Sequence, residues 1–270
     1  MKLEEIRTRW TGRAAGKSEL QKQFWDQMAQ DEGERRLPDF ENDPFLKIVQ
    51  SQCSLPPDAA TLDVGCGAGR YSLALAGRVG RAVGVDLSER MIDAAKASAQ
   101  RYGVQNAEFL SMDWAQADVD ALGWRGAFDL VFAHMTPAIM DLDTLEKMIA
   151  CARRWCILEK HCRRTDKVLD QALCAAGIQP KMGFDEALTY VFAALWELGF
   201  EPRVQYRRQE HKTRLPVEIV LARTFARAQL WKPLNEQERR AMESAVRAHD
   251  EGGMVEETLS STVVSVIWEV

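Results

Sequence analysis

The 270-residue chain predicts a doubly wound α/β fold, on three observations. Short apolar segments alternate with amphipathic ones between residues 58 and 210. The first apolar segment runs straight into a glycine-rich turn. Acidic residues then stand at the ends of the next two. Strand–helix alternation at this spacing argues for βαβ units and a mainly parallel sheet, and right-handed crossovers place helices on both of its faces.

Residues 1–57 read as a helical lead-in. Ser18 and Gln21 have capping-box spacing before Leu20, Phe24, Trp25 and Met28. The acidic, proline-containing stretch Leu37 to Pro44 leads into a short helix, and Pro56-Pro57 closes the zone. Strands are expected at 60–64, 81–86, 106–110, 127–132 and 155–159, and helices at 68–78, 88–102, 144–153, 165–176 and 185–199. A further strand is expected near 202–209. Residues 215–248 look helical in two pieces, broken around Lys232-Pro233-Leu234, with Asn235 and Glu238 capping the second. The β-branched run 262–268 reads as a last strand after Gly252-Gly253. The core domain then spans 58–210 and 254–270, with 211–253 as a helical insertion before the last strand and a candidate substrate cap.

Composition narrows the function. The chain is 46% hydrophobic and 28% charged, as ordinary globular proteins are, and carries a net charge of −5. Its basic doublets are scattered among acids, so a phosphate-binding stripe for nucleic acid is not expected. The six cysteines form no CxxC pair and have no zinc spacing, so no metal is expected and reduced thiols are the reading. The first residues show no apolar signal region, and no run approaches membrane-spanning length. A soluble, cytoplasmic protein with no membrane partner is expected.

The chemistry centres on Leu62-Asp63-Val64-Gly65-Cys66-Gly67-Ala68-Gly69-Arg70. Glycines at a strand–helix turn let the chain bend sharply and let a ligand approach the backbone. The helix start beyond them welcomes an anionic group. Asp86 ends the next strand, where a carboxylate can accept both hydroxyl hydrogens of a ribose. The third strand ends at Met112-Asp113-Trp114, where the edge of an adenine can be met. A dinucleotide fingerprint wants its third glycine one residue later, where Arg70 stands. Asp63 would repel a pyrophosphate but suits an ammonium group. An amino acid joined to adenosine meets all of these demands.

These segments, with Val85-Asp86-Leu87-Ser88 and Phe128-Asp129-Leu130-Val131-Phe132, resemble class I S-adenosylmethionine-dependent methyltransferases over about residues 58–160. The resemblance implies a Rossmann-like sheet of seven strands, the last antiparallel. It also implies S-adenosyl-L-methionine as cofactor and S-adenosyl-L-homocysteine as product. The cofactor-binding residues it marks are Asp63, Gly65, Cys66, Gly67, Gly69, Asp86, Leu87, Met91, Met112, Asp113 and Trp114. Phe24, Trp25 and Met28 would belong to an N-terminal helix closing over the cofactor.

Methyl transfer needs a general base only if the nucleophile must lose a proton. His134, just past the fourth strand, is the candidate base. His134, Thr136, His161 and Tyr190 are candidate substrate contacts, with Tyr206 a further one. The loop His134-Met135-Thr136-Pro137 lacks the Pro-Pro-aromatic pattern of amino-group methylation on nucleobases, and no cysteine stands beside a proline as cytosine C5 chemistry needs. A small-molecule acceptor is therefore expected. Two alternatives remain: a protein that binds S-adenosylmethionine without turnover, and a nicotinamide-dependent oxidoreductase on a similar fold.

Overall fold

The computed structural model describes residues 1–11, 17–179 and 184–270. Three helices lead in, α1 (Leu3–Arg9), α2 (Lys17–Glu34) and α3 (Pro44–Gln52). The Asp43 side chain starts α3 by accepting from the N–H groups of Phe45 and Leu46 at 2.9 and 3.0 Å. The Ser18 side chain of the expected capping box lies outside the described residues. The alternating zone follows as β1 (Ala60–Val64), α4 (Arg70–Ala76), β2 (Arg81–Asp86), α5 (Glu89–Tyr102), β3 (Ala107–Ser111), β4 (Phe128–His134), α6 (Leu142–Cys151) and β5 (Ala152–Asp166). Then come α7 (Lys167–Ala175), α8 (Phe184–Glu197), β6 (Arg203–Pro216), α9 (Val217–Gln229), α10 (Glu236–Arg247), β7 (Asp250–Glu251) and β8 (Met254–Glu269).

The sheet order is β3-β2-β1-β4-β5-β8-β6, with the two-residue β7 paired to β8. The first five strands are mutually parallel, and β8 runs antiparallel to both β5 and β6. The expected doubly wound sheet with an antiparallel last strand is therefore present, plus one short extra strand. Residues at the centre of β1 and β4 are buried on both faces, as parallel strands covered by helices must be.

The departures from expectation concentrate in three strands. The strand expected at 155–159 runs from Ala152 to Asp166, that near 202–209 runs to Pro216, and that at 262–268 begins at Met254. Residues 211–216, assigned to the helical insertion by sequence, continue β6. They pair with β8 from His211↔Leu259 to Pro216↔Met254. Polar, charged side chains there conceal the strand, whose stability comes from the ladder rather than from an apolar stripe. The helices between β6 and β8 are α9 and α10, with the Asn235–Glu238 capping box formed as expected.

This long antiparallel arm carries a second core. Val168 and Leu173 of α7, Val220 of α9, Met242 and Val246 of α10 and Val255 of β8 are buried together. Where β5 enters the arm its pairing with β8 shifts between Cys162 and Thr165, and Arg163 adopts a left-handed φ of 49°. The α2 helix lies on α5 so closely that a Cβ at Gly33 would stand 3.1 Å from that of Ala94. An Asp31–Arg223 ion pair at 2.9 Å ties α2 to α9.

Candidate active site

The carboxyl ends of the parallel strands open into a cavity of about 970 Å³. Its floor is the turn between β1 and α4, where Gly65, Gly67 and Gly69 all have left-handed φ of +75°, +53° and +74°. The three glycines serve different ends. A Cβ at Gly65 would stand 2.0 Å from Thr136 Oγ1, so the turn and the loop after β4 close on each other there. A Cβ at Gly69 would strike the Phe109 ring at 2.6 Å, so this glycine packs helix on sheet, and it does not line the cavity. At Gly67 the nearest atom to a Cβ is Met91 Sδ at 3.9 Å, leaving the backbone open to a ligand. The expected start of α4 at residue 68 moves to Arg70, because the turn consumes Ala68 and Gly69.

Two acids lie under this turn. Asp86 ends β2 and accepts from Gly67 N–H and Ser88 N–H, each at 2.9 Å, one on each oxygen. Burial raises its carboxyl above the ordinary range, and these N–H donors offset part of that rise. Asp63 is almost wholly buried, 3% exposed, and accepts from Ser72 Oγ at 2.7 Å. Burial pushes Asp63 up to about 7, against the pull of Ser72. The Ser88 hydroxyl caps α5 through Met91 N–H at 3.1 Å and lies 2.5 Å from an Asp26 oxygen, which fastens α2 beside the turn.

Past β3, Met112, Asp113 and Trp114 line the cavity, with Asp113 accepting from Ala115 N–H at 3.1 Å. The Trp114 indole is anchored underneath, donating to Thr144 O at 3.0 Å. From above, Trp25 and Gln21 of α2 reach the same space. Gln21 is 5% exposed and its Nε2 has no hydrogen-bond partner among the described residues. Phe24 faces away: it is buried edge-on to Trp25 under the Arg227 guanidinium, which stands 5.3 Å from the ring centre.

The other end of the cavity is built around His134, the last residue of β4. Its Nε2 stands 3.0 Å from Glu159 Oε2, and its ring packs on those of Tyr71 and Phe45, with centroids 4.0 and 4.8 Å away. Glu159, on β5, is fully buried; Ser265 of β8 donates to its Oε1 at 2.5 Å and Arg207 of β6 lies 3.9 Å from it. Burial alone would raise the Glu159 carboxyl, but His134, Ser265 and Arg207 together hold it below the ordinary range. Met135, next in the loop, takes a left-handed φ of 54° and donates its N–H to Glu159 O at 2.9 Å. For a residue other than glycine that geometry costs on the order of 1–2 kcal/mol.

Thr136, His161, Arg207, Gln209, His211 and Leu259 complete this end. His161 Nδ1 lies 3.0 Å from Ser261 Oγ, and burial, with Arg164 and His134 adding to it, pushes the ring down to about 4. Tyr190 stands elsewhere: it stacks on Trp10 and donates to Glu186, because α8 covers the sheet on the side of α1. Tyr206 is 73% exposed and borders a separate, smaller cavity that Arg207 and Ser265 also line. Of the candidate residues, then, Phe24, Met28, Gly69, Tyr190 and Tyr206 do not line the main cavity, and the others do.

Sequence reasoning missed Gln21, Glu159, Arg207, Gln209 and His211. Glu159 carried one readable signal, a lone acid inside the apolar run Cys156-Ile157-Leu158 of a central strand. The arm residues carried none. Among the described residues no group of three or more metal-ligating side chains occurs, and no helix is long and apolar enough to cross a membrane.

Residues 61–157 match the family model of a methyltransferase domain. The chain is 35% identical over 91 residues to a 23S rRNA (uracil(1939)-C(5))-methyltransferase, RlmD, of Alcanivorax borkumensis. That match covers 33% of this chain and spans only 20% of the relative's length. Among solved structures, a putative methyltransferase from Bacillus halodurans aligns over 84% of this chain and 98% of its own, with a TM-score of 0.51 at 14% identity. The [4+2]-cyclase SpnF aligns over 93% and 98%, with a TM-score of 0.50 at 16% identity. At such identities these neighbours establish the fold.

Proposed function

We propose, from the match of residues 61–157 to the family model of a methyltransferase domain and from the order of the sheet, that the chain transfers a methyl group from S-adenosylmethionine to a small-molecule acceptor. The observation that carries the reading is convergence. The open backbone at Gly67, the Asp86 carboxylate and the Met112–Trp114 turn border one cavity whose other end holds His134.

The residues present fit that cofactor. A carboxylate-bearing ligand would supply the acceptor that buried Gln21 Nε2 lacks. Asp86 keeps lone pairs beyond those given to Gly67 and Ser88 N–H, enough for two ribose hydroxyls. Asp63 lies two residues before the turn, where an ammonium group would draw its carboxyl back toward the ionised form. Asp113 and Trp114 would hold the adenine edge, and Trp25 would close the cavity from α2.

When bound, the cofactor supplies an electrophilic methyl on a sulfonium, open to in-line displacement. The protein's share is orientation and exclusion of water. The Thr136–Gly65 contact fixes the loop after β4 against the cofactor turn, and with it the place of His134 relative to that turn. Orientation of this kind is worth up to about 7–11 kcal/mol of barrier in favourable cases.

A small acceptor is favoured over RNA by the net charge of −5 and by an acceptor end recessed between β4, β5 and the arm. The RNA reading draws on the RlmD match alone. Cys66, the cysteine that lines the cavity, has its thiol pushed well above the ordinary value by burial, so it is not poised as a nucleophile. The six cysteines are free thiols, as a reducing compartment such as the cytoplasm keeps them.

Calorimetric titration with S-adenosylmethionine, S-adenosylhomocysteine and NAD tests the reading. The expected result is micromolar binding of the first two and none of the third. Absence of binding by both adenosyl compounds would overturn it. Binding of both together with methyl transfer only to RNA would overturn the small-molecule part.

A further inference from the structure

We propose that Glu159 is a positioning residue that fixes His134 as the proton acceptor, so that the acceptor molecule is a nucleophile that must lose a proton, an O–H or N–H compound rather than a thioether or tertiary amine. The inference rests on the methyl-transfer reading and deepens it.

A carboxylate without exposure, inside a central strand, is costly to keep unless it is paired. Here its two oxygens are divided. One lies 2.5 Å from the Ser265 hydroxyl, with Arg207 beyond at 3.9 Å, and the other lies 3.0 Å from His134 Nε2. That oxygen has no hydrogen-bond partner of good geometry, and a lone pair on Nε2 would face it at 3.0 Å and be repelled, so the Nε2–H form of the neutral imidazole is favoured and Nδ1 is left as the accepting nitrogen. Nδ1 has no hydrogen-bond partner among the described residues, and His134 lines the cavity. The ring is held between Tyr71 and Phe45, and Tyr71 is itself fixed by its hydroxyl on Asp43 at 3.0 Å. Arg207 from β6 and His161 from β5 are the other charged or titratable groups facing the pair, with Asp43 beyond Tyr71.

The step balances simply. The acceptor's X–H bond breaks, its electron pair stays on X and forms the bond to the methyl carbon. The S–CH₃ bond breaks with its pair passing to sulfur. The proton passes to His134 Nδ1, the Glu159 charge balances the imidazolium, and the proton later leaves to water once product has gone. A thioether or tertiary amine has no such proton, and the arrangement would do nothing for it.

The test reads the tautomer directly. The full chain is labelled with ¹⁵N-histidine and saturated with S-adenosylhomocysteine. Two-bond ¹H–¹⁵N spectra are recorded above the titration range, and His134 is assigned by its loss in His134→Gln. The wild type is expected to show the Nε2–H form. In Glu159→Gln the amide can donate to Nε2, and the Nε2–H to Nδ1–H ratio should fall at least tenfold. Ser265→Ala, which leaves the His134–Glu159 pair intact, should keep the wild-type form. An Nδ1–H tautomer in the wild type overturns the proposal even if Glu159→Gln fails to fold. So does an unchanged ratio in Glu159→Gln, or methylation of a thioether at a rate indifferent to Glu159→Gln. Loss of S-adenosylhomocysteine binding by the wild type would instead strike the underlying reading, and calorimetry on the same sample separates the two.

Discussion

The two ends of the cavity are made in opposite ways. The adenosyl end is local: Asp63, the glycine turn, Asp86 and the Met112–Trp114 turn stand at the ends of three successive strands, each joined to the next by a short helix. The acceptor end is assembled across the chain. His134, Glu159, Arg207 and Ser265 come from four strands, and the Ser265–Glu159 bond joins residues 106 positions apart. A ligand shared by many proteins can be held by short-range spacing. An individual acceptor is met by side chains that only long strand pairings bring together.

The largest effect that can break this contrast lies at Gly65. In Gly65→Val the new Cβ would meet Thr136 Oγ1 at 2.0 Å on a backbone with φ of +75°. Left-handed strain and the collision together should abolish binding of S-adenosylhomocysteine by calorimetry, with a stability loss of more than about 2 kcal/mol by urea denaturation. Because Thr136 belongs to the acceptor loop, this site tests whether the ends are as separate as their sequence origins. Retained binding would mean that the loop yields and the ends are uncoupled.

Next in size is Asp86→Ala. Its carboxylate would lose two charge-assisted bonds to ribose hydroxyls and release the N–H groups of Gly67 and Ser88. Affinity should fall by at least about 100-fold, at about 1.5–3 kcal/mol for each of the two bonds to a charged group. A change below tenfold would remove Asp86 from the adenosyl end.

Why one end was legible and the other was not follows from the same contrast. The strand–turn–helix at Leu62–Arg70, Asp86 and Asp113 could be read because spacing along the chain already fixes their placement at strand ends. The Asn235 cap and the break at Pro233 could be read for a similar reason, since capping is a matter of three or four residues. The arm could not. From Arg207 to Arg214 the β6 strand is almost wholly polar, with no alternation to mark it, and its existence depends on the register with β8. Arg207, Gln209 and His211 were therefore unreadable as cavity residues, and 211–216 passed for insertion. Tyr190 and Phe24 were misplaced for another reason: helical spacing identifies a residue's face only once the helix's neighbour is known.

Asp63→Asn gives a smaller effect and a pH-dependent one. The folded carboxyl of Asp63, at about 7, lies above its unfolded value, so its contribution is fully present below that unfolded value and is lost as pH rises through about 7. The unliganded wild type should lose on the order of 2–3 kcal/mol between about pH 5 and pH 8 from this group. Asn can still accept from Ser72, so the variant should lack that slope in denaturation curves taken across the range. A wild-type profile as flat as the variant's would show that Asp63 stays ionised, already matched by charge at the adenosyl end.

The smallest effect is the one that sharpens the contrast most. Arg207 lines the cavity, is about one-third exposed at its side chain and stands 3.9 Å from Glu159, too far for a strong pair. Its other contact is a bond to Gln209 at 2.9 Å within the same strand. Arg207→Gln should cost less than about 1 kcal/mol in stability, because the partly exposed guanidinium meets the buried Glu159 carboxylate only at 3.9 Å. Among the described residues the hydrogen bond and ion pair of Arg207 stay at the acceptor end, so S-adenosylhomocysteine affinity should stay within about twofold, the additivity expected of sites without shared partners. If calorimetry instead found the affinity reduced tenfold, the arm would be reaching the adenosyl end through the shared cavity. The division into a local grip and a long-range acceptor surface would then give way to a single coupled site.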